Sequence, residues 1–99
     1  MAHELNNIKV ITHGTAVVGA AASTIMAAND RRLYAEIINS SDEGMWLKLG
    51  DTAVVGEGIF LAPNGFSYAI LPENMWRGYI SAITAGGGAN KIAGTIQGQ

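Results

Sequence analysis

Apolar and polar residues alternate with a period of two through much of the chain. Leu33, Ala35 and Ile37 are interleaved with Tyr34, Glu36 and Ile38, and Met45, Leu47 and Leu49 with Trp46 and Lys48. Successive side chains of a strand point to opposite faces, so each run reads as a strand with one buried face. In the second run, Trp46 and Lys48 fall opposite the three aliphatics. Ile59 and Leu61 flank Phe60, and Phe66, Tyr68 and Ile70 alternate with Ser67 and Ala69. Two more strands are expected over residues 76–84 and 91–96. Turn residues punctuate the chain at Asn29-Asp30, 39–44, Gly50-Asp51, 56–58, Pro63-Asn64-Gly65, 72–74 and 85–90. That spacing favours many short strands over a few helices.

Adjacent runs suggest local pairing. Residues 33–38 and 45–49 are expected to form a hairpin or lie as neighbouring strands. Ile59–Leu61 and Phe66–Ile70 are expected to pair across Pro63-Asn64-Gly65, since Asn-Gly between two alternating runs is a strong hairpin signal. Residues 76–84 and 91–96 form the last expected pair, with Gly86-Gly87-Gly88 as a mobile tip. In the first third, Ile8–Thr12 alternates as a strand. Residues 16–28 mix Val17, Val18, Thr24 and Ile25 with alanines, which favour helix. Gly19 and the β-branched residues favour strands over 15–19 and 23–27, a helix being the alternative. The expected fold is all-β: a single small β-sandwich or compact barrel of seven to eight short antiparallel strands. Residues 1–14 are assigned as an N-terminal arm or first strand, a candidate attachment segment, and 15–99 as the β-sandwich domain.

Ninety-nine residues allow one domain, and the absence of cysteine excludes disulfides, thiolate metal sites and thiol catalysis. Charged residues make up 14% of the chain, against roughly 25% in an ordinary soluble domain. Interface centres are depleted in charge, so a charge-poor small domain is expected to face other protein. A neutral monomer covered by Ser, Thr, Asn and Gly is the alternative. The net charge is −2 and Arg31-Arg32 is the sole adjacent basic pair, which disfavours nucleic acid as a partner. The apolar stretch from Thr15 to Ala28 is shorter than the roughly 20 residues that span a bilayer. The segment before it carries Glu4 and Lys9 instead of a cationic cluster, unlike a secretory signal. The chain is therefore expected to remain cytosolic at synthesis, with no membrane partner.

No catalytic, cofactor-binding or metal-binding residue is assigned. His3 and His13 are the only imidazoles and neither has a partner at ligand spacing. There is no G-x-S-x-G, and no histidine beyond His13 to serve as a general base. Asp42, Glu43, Asp51 and Glu57 are the acids available for glycoside hydrolysis, yet all lie in turns, where carboxylates cap backbone amides or stay solvated. Gly86-Gly87-Gly88 lacks the Lys-Ser/Thr of a phosphate loop. Trp46, Trp76, Tyr34, Tyr68 and Tyr79 can stack on sugars or fill a small β core. Trp46, beside Lys48 opposite the buried aliphatics, is the candidate exposed anchor. Unpaired strand edges invite another chain, and Ile8, Val10 and Ile11 are expected to pair with a neighbouring chain by strand addition.

The run RRLYAEIINSSDEGMWLKLGDTAVVGEGIFLAPNGFSYAI, from Arg31 to Ile70, resembles a pattern common in small structural proteins of tailed bacteriophages. Its landmarks are Asn39, Trp46, Leu49-Gly50, Gly56, Gly58-Ile59, Leu61 and Gly65. Residues 78–94, with Tyr79, Ala82-Ile83 and the glycine-rich tip, resemble the closing hairpin of the same proteins. The resemblance covers about two thirds of the chain, leaves residues 1–30 outside, and consists of packing and turn positions. It implies a non-enzymatic β-sandwich virion protein, most simply a capsid decoration (cement) protein. Such a protein would bind the outer capsid surface, with the major capsid protein or another virion protein as partner and a homo-oligomer, a trimer favoured, as its assembly. A tail or fibre module that binds a host surface glycan is the alternative it leaves open.

Overall fold

The computed structural model describes residues 8–99. They form eight strands: β1 (Ile11–Val18), β2 (Ser23–Met26), β3 (Tyr34–Asn39), β4 (Met45–Leu49), β5 (Ile59–Leu61), β6 (Ser67–Ile70), β7 (Ile80–Thr84) and β8 (Lys91–Gly98), with one 3-10 turn at Pro72–Asn74. The strands make two four-stranded sheets, β1-β8-β3-β6 and β2-β7-β4-β5, with every pairing antiparallel. The all-β sandwich expected from the alternation is the fold observed.

The strand order is that of a jelly roll. β4 pairs with β5, β3 with β6, β2 with β7 and β1 with β8, so the chain is one long hairpin rolled onto itself. Of the connections along the chain, only that between β4 and β5 joins neighbours in a sheet.

The expected hairpins are therefore corrected. β3 and β4 lie in different sheets, as do β5 and β6, and β7 and β8. Asn64 and Gly65 do adopt positive φ, at 66° and 102°. Their amides, however, donate to the carbonyls of Ser41 and Asn39. The turn is thereby tied to the β3–β4 loop, and the chain crosses between sheets instead of closing a ribbon. Gly86-Gly87-Gly88 is likewise a crossover, held by Glu43, whose carboxylate accepts from the amides of Gly86 and Gly88.

At the N-terminal end, one strand replaces the two expected over 8–12 and 15–19, so the boundary drawn at residue 14 falls inside β1. Residues 16–28 contain no helix. Residues 1–7 of the assigned arm lie outside the described residues.

The core consists of the inward-facing alternate positions: Val18, Ala35, Ile37 and Ile70 from one sheet meet Met45, Leu47, Leu61 and Ile80 from the other. Loops cluster at the two ends, and each end is bound by a polar hub. At one end buried Asn39 donates to the carbonyls of Glu43 (2.7 Å) and Leu61 (3.1 Å) and accepts from the amide of Ser41 (3.0 Å). At the other, the fully buried guanidinium of Arg32 donates to the carbonyls of Ala27, Trp76 and Gly78 and to the Gln97 side chain, at 2.7–3.0 Å.

Candidate interaction surfaces

Alternation along β4 sends Met45 and Leu47 into the core and leaves Trp46 and Lys48 on the outer face of their sheet. Trp46 sits opposite Phe60 on β5 and Ile83 on β7. Its ring centroid lies 5.0 Å from that of Phe60, the planes tilted by 52°. Such tilted aromatic pairs are favourable beyond the area they bury. Trp46 is half-buried, and Phe60 is 49% exposed beside it. Lys48 is occupied: its Nζ lies 2.7 Å from Glu57 and 3.8 Å from Asp51. The hydrogen bond to Glu57 raises its pKa. It frames the aromatic patch and is not a free cation.

Ile8, Val10 and Ile11 lie at a different place, along the outer strand of the other sheet. Lys9 and Val10 both donate to the carbonyl of Gln99, and Gln99 donates back to Val10, each at 2.9 Å. The segment expected to pair with a neighbour thus pairs with its own chain on one side, and no described strand lies on its other side. Val10 is 51% exposed and Ile11 56%, whereas Ile8 packs over Gly98. The structure does not bring these residues together with Trp46 and Lys48, because the two groups belong to different sheets.

Register adds residues that sequence reading missed. Val17, 55% exposed, is opposite Ile92, which is also exposed. With Ile11, Ile38 and Ile96 they give the outer face of the β1-β8-β3-β6 sheet an apolar character. Their signal was hidden because β1 carries Gly14 and Ala16 at inward positions, where alternation looks for large aliphatics.

Glu36 is the carboxylate on that face, and it accepts a 2.7 Å hydrogen bond from the hydroxyl of Tyr34. Burial first, and Glu36 second, raise the Tyr34 pKa to about 12. A phenol with a raised folded-state pKa contributes stability that is complete below its unfolded value, about 10, and is lost as pH rises towards 12. Unfolding midpoints are accordingly expected to fall between pH 10 and 12 in the native chain and to fall less in Tyr34→Phe, as followed by circular dichroism.

The turn acids are used structurally. Glu43 caps the glycine crossover, Asp51 accepts from the amide of Thr52 at 2.8 Å, and Glu57 holds Lys48. Asp42 lies 2.6 Å from Lys91, which lowers its pKa. Among the described residues no group of three His, Asp or Glu is placed to hold a metal ion. No helix among them is long and apolar enough to cross a membrane. His13 stands exposed on β1, and His3 lies outside the described residues. An open cleft of about 220 Å³ is lined by Ala22, Ser23, Thr24, Thr52, Tyr79 and Ser81, hydroxyl-rich and without a carboxylate.

Compared with known proteins, the chain matches no family model and no curated protein.

Proposed function

We propose that this chain is a non-enzymatic structural protein of a tailed-phage virion, a decoration (cement) protein. It would seat on the outer capsid surface and stabilise contacts between capsid subunits. The observation that carries this reading is that the turn carboxylates are engaged within the fold, while exposed apolar side chains remain on the outer faces of both sheets. Landmarks of the phage-like pattern also have structural work here: Asn39 is a loop hub, and Gly50, Gly56, Gly58 and Gly65 take positive φ. Many weak copies suffice on a repetitive surface, because simultaneous contacts raise the effective concentration of each.

Electron microscopy of the particle that copurifies with the chain tests this reading, with density on the outer capsid surface as the expected result. A chain that copurifies with no particle would sink it. Trp46→Ala is expected to weaken binding to that particle about 10-fold or more and to leave a cooperative melt close to the parent's. Loss of cooperativity would instead make Trp46 a core residue.

The second reading, a tail or fibre module that binds a host glycan, is favoured by one feature, the cleft where Tyr79 stands among Ser23, Thr24, Thr52 and Ser81. Saturable binding on a glycan array, without association with capsids, would place the chain in that class.

A further inference from the structure

A β-sandwich of two open sheets has four edges, here β1, β6, β2 and β5. Natural sheets protect such edges by shortness, bulges, charge, proline or a covering group. Three of these are protected. β5 has three residues, and β2 has four with a register shift between Thr24 and Met26. At β6 the Asn74 side chain donates to the carbonyl of Ala69 (3.1 Å) and accepts from the amide of Leu71 (2.7 Å), covering backbone groups that would otherwise face outward. Among the described residues β1 carries one such device, at its C-terminal end alone, where the Ser23 hydroxyl donates to the Val17 carbonyl (3.4 Å). The strand is eight residues long, ITHGTAVV, without a bulge, a proline, a lysine, an arginine or a carboxylate.

The ladder to β8 fixes which groups of β1 are free. Val10 and Gln99 exchange two hydrogen bonds, and bonded positions alternate along an antiparallel pair. Thr12, Gly14 and Ala16 therefore bond to β8. Ile11, His13, Thr15 and Val17 turn their amides and carbonyls away from the sheet. Of these groups, the Val17 carbonyl already accepts a long hydrogen bond, 3.4 Å, from the Ser23 hydroxyl, and its second lone pair is the one open to a new donor.

The sequence of this free edge is close to a palindrome about Gly14. We propose that β1 pairs antiparallel with β1 of a second copy, the two-fold axis passing at Gly14. In that register Ile11 faces Val17 of the second copy, His13 faces Thr15, and Thr12 faces Ala16. Each pair of outward-facing residues exchanges two hydrogen bonds. The two sheets become one, running β6-β3-β8-β1 and continuing in reverse through the second copy. The exposed Ile11 and Val17 cover one another, an apolar cross-strand match. A slip of two residues would put Ile11 against Thr15 or against Gly19, and Val17 out of reach of Ile11. An isologous contact needs this kind of self-complementarity. Gly14 also suits the axis, since the central pair is a close, non-hydrogen-bonded one. This pairing goes beyond the capsid reading and does not depend on it, and it is two-fold where the phage resemblance favours a trimer.

The test is the solution mass of the purified full chain by sedimentation, with three variants. A concentration-dependent dimer is expected. Thr15→Pro removes an outward amide and no bond to β8, in a position where an edge strand tolerates proline. It is expected to raise the dimer dissociation constant about 100-fold with an unchanged circular dichroism spectrum. For the register, the chain's lack of cysteine makes single cysteines informative. The Gly14 position approaches its counterpart to about 4.5 Å between Cα atoms, within disulfide range. Gly14→Cys, made with Thr95→Ala to relieve the 3.2 Å approach of Thr95 Oγ1, is expected to cross-link on mild oxidation. Thr12→Cys, which faces Ala16 of the second copy, is not. These cross-links keep the test decisive should Thr15→Pro fail to fold. A monomer at all concentrations, a trimer, a dimer indifferent to Thr15→Pro, or faster cross-linking through Thr12→Cys would each overturn the proposal. Capsid binding by a chain that stays monomeric would leave the decoration reading standing without it.

Discussion

Replacing Arg32 with methionine is expected to lower the unfolding free energy by about 3–5 kcal/mol. The guanidinium is fully buried, and its hydrogen-bond partners are neutral: three carbonyls and the Gln97 amide oxygen. Burial holds its pKa below the ordinary arginine value, and Arg77 adds to the effect. Methionine fits the volume and removes the expense of burying a charge, which returns part of the loss. It also strips donors from the carbonyls of Ala27, Trp76 and Gly78, and hydrogen bonds to a charged group contribute about 1.5–3 kcal/mol each. The second effect wins because the donors serve segments with no strand pairing of their own: the β2–β3 connection and residues 76–78. Arg32→Lys should rescue little, since an ammonium lacks the planar fork that spans three segments. Urea unfolding of both variants checks this, and a change below about 1 kcal/mol for Arg32→Met would show the hub to be dispensable.

The second large effect is expected at Gly58, where the β4–β5 connection returns to β5. Its φ is +91°, and a Cβ there would stand 2.3 Å from the carbonyl oxygen of Leu47. That oxygen belongs to the partner strand and cannot move without opening the hairpin. Gly58→Ala is expected to destabilise by about 3 kcal/mol or more. Gly56 supplies the internal control: its φ is +88°, but nothing lies within 4 Å of its virtual Cβ. Gly56→Ala should therefore show the conformational share alone, about 1–2 kcal/mol. Equal midpoints for the two variants in thermal unfolding would remove the steric part of this account.

The faces of the strands were legible in the sequence, and their partners were not. Ala35 and Ile37, Met45 and Leu47, Leu61 and Ile70 all point inward as alternation requires, because period two is a property of each strand by itself. Pairing is not local. Pro63-Asn64-Gly65 bends the chain as its composition demands, but whether the flanking strands then meet depends on hydrogen bonds to Ser41 and Asn39 from another loop. Arg32 shows the same limit. Beside Arg31 it reads as half of a basic pair, and only segments some 44 to 65 residues further on make it a buried hub. Of the candidate contact residues, Trp46 was placed on an outer face by its neighbours in β4. The open edge at Ile11–Val17 emerged only once β8 occupied the other side.

The rolled-hairpin topology also orders events in time. Loop closure for β4 with β5 spans a short connection, whereas β1 must wait for β8, at the opposite end of the described chain. Contacts that distant in sequence form slowly. A nascent chain can complete its inner pairs while β1 still lacks a partner, and the edge offered to a second copy acquires its fixed register only when β8 docks. Completion of the β1–β8 pair thus comes before any recognition through that edge, so that in the proposed dimer the docking of β8 licenses assembly.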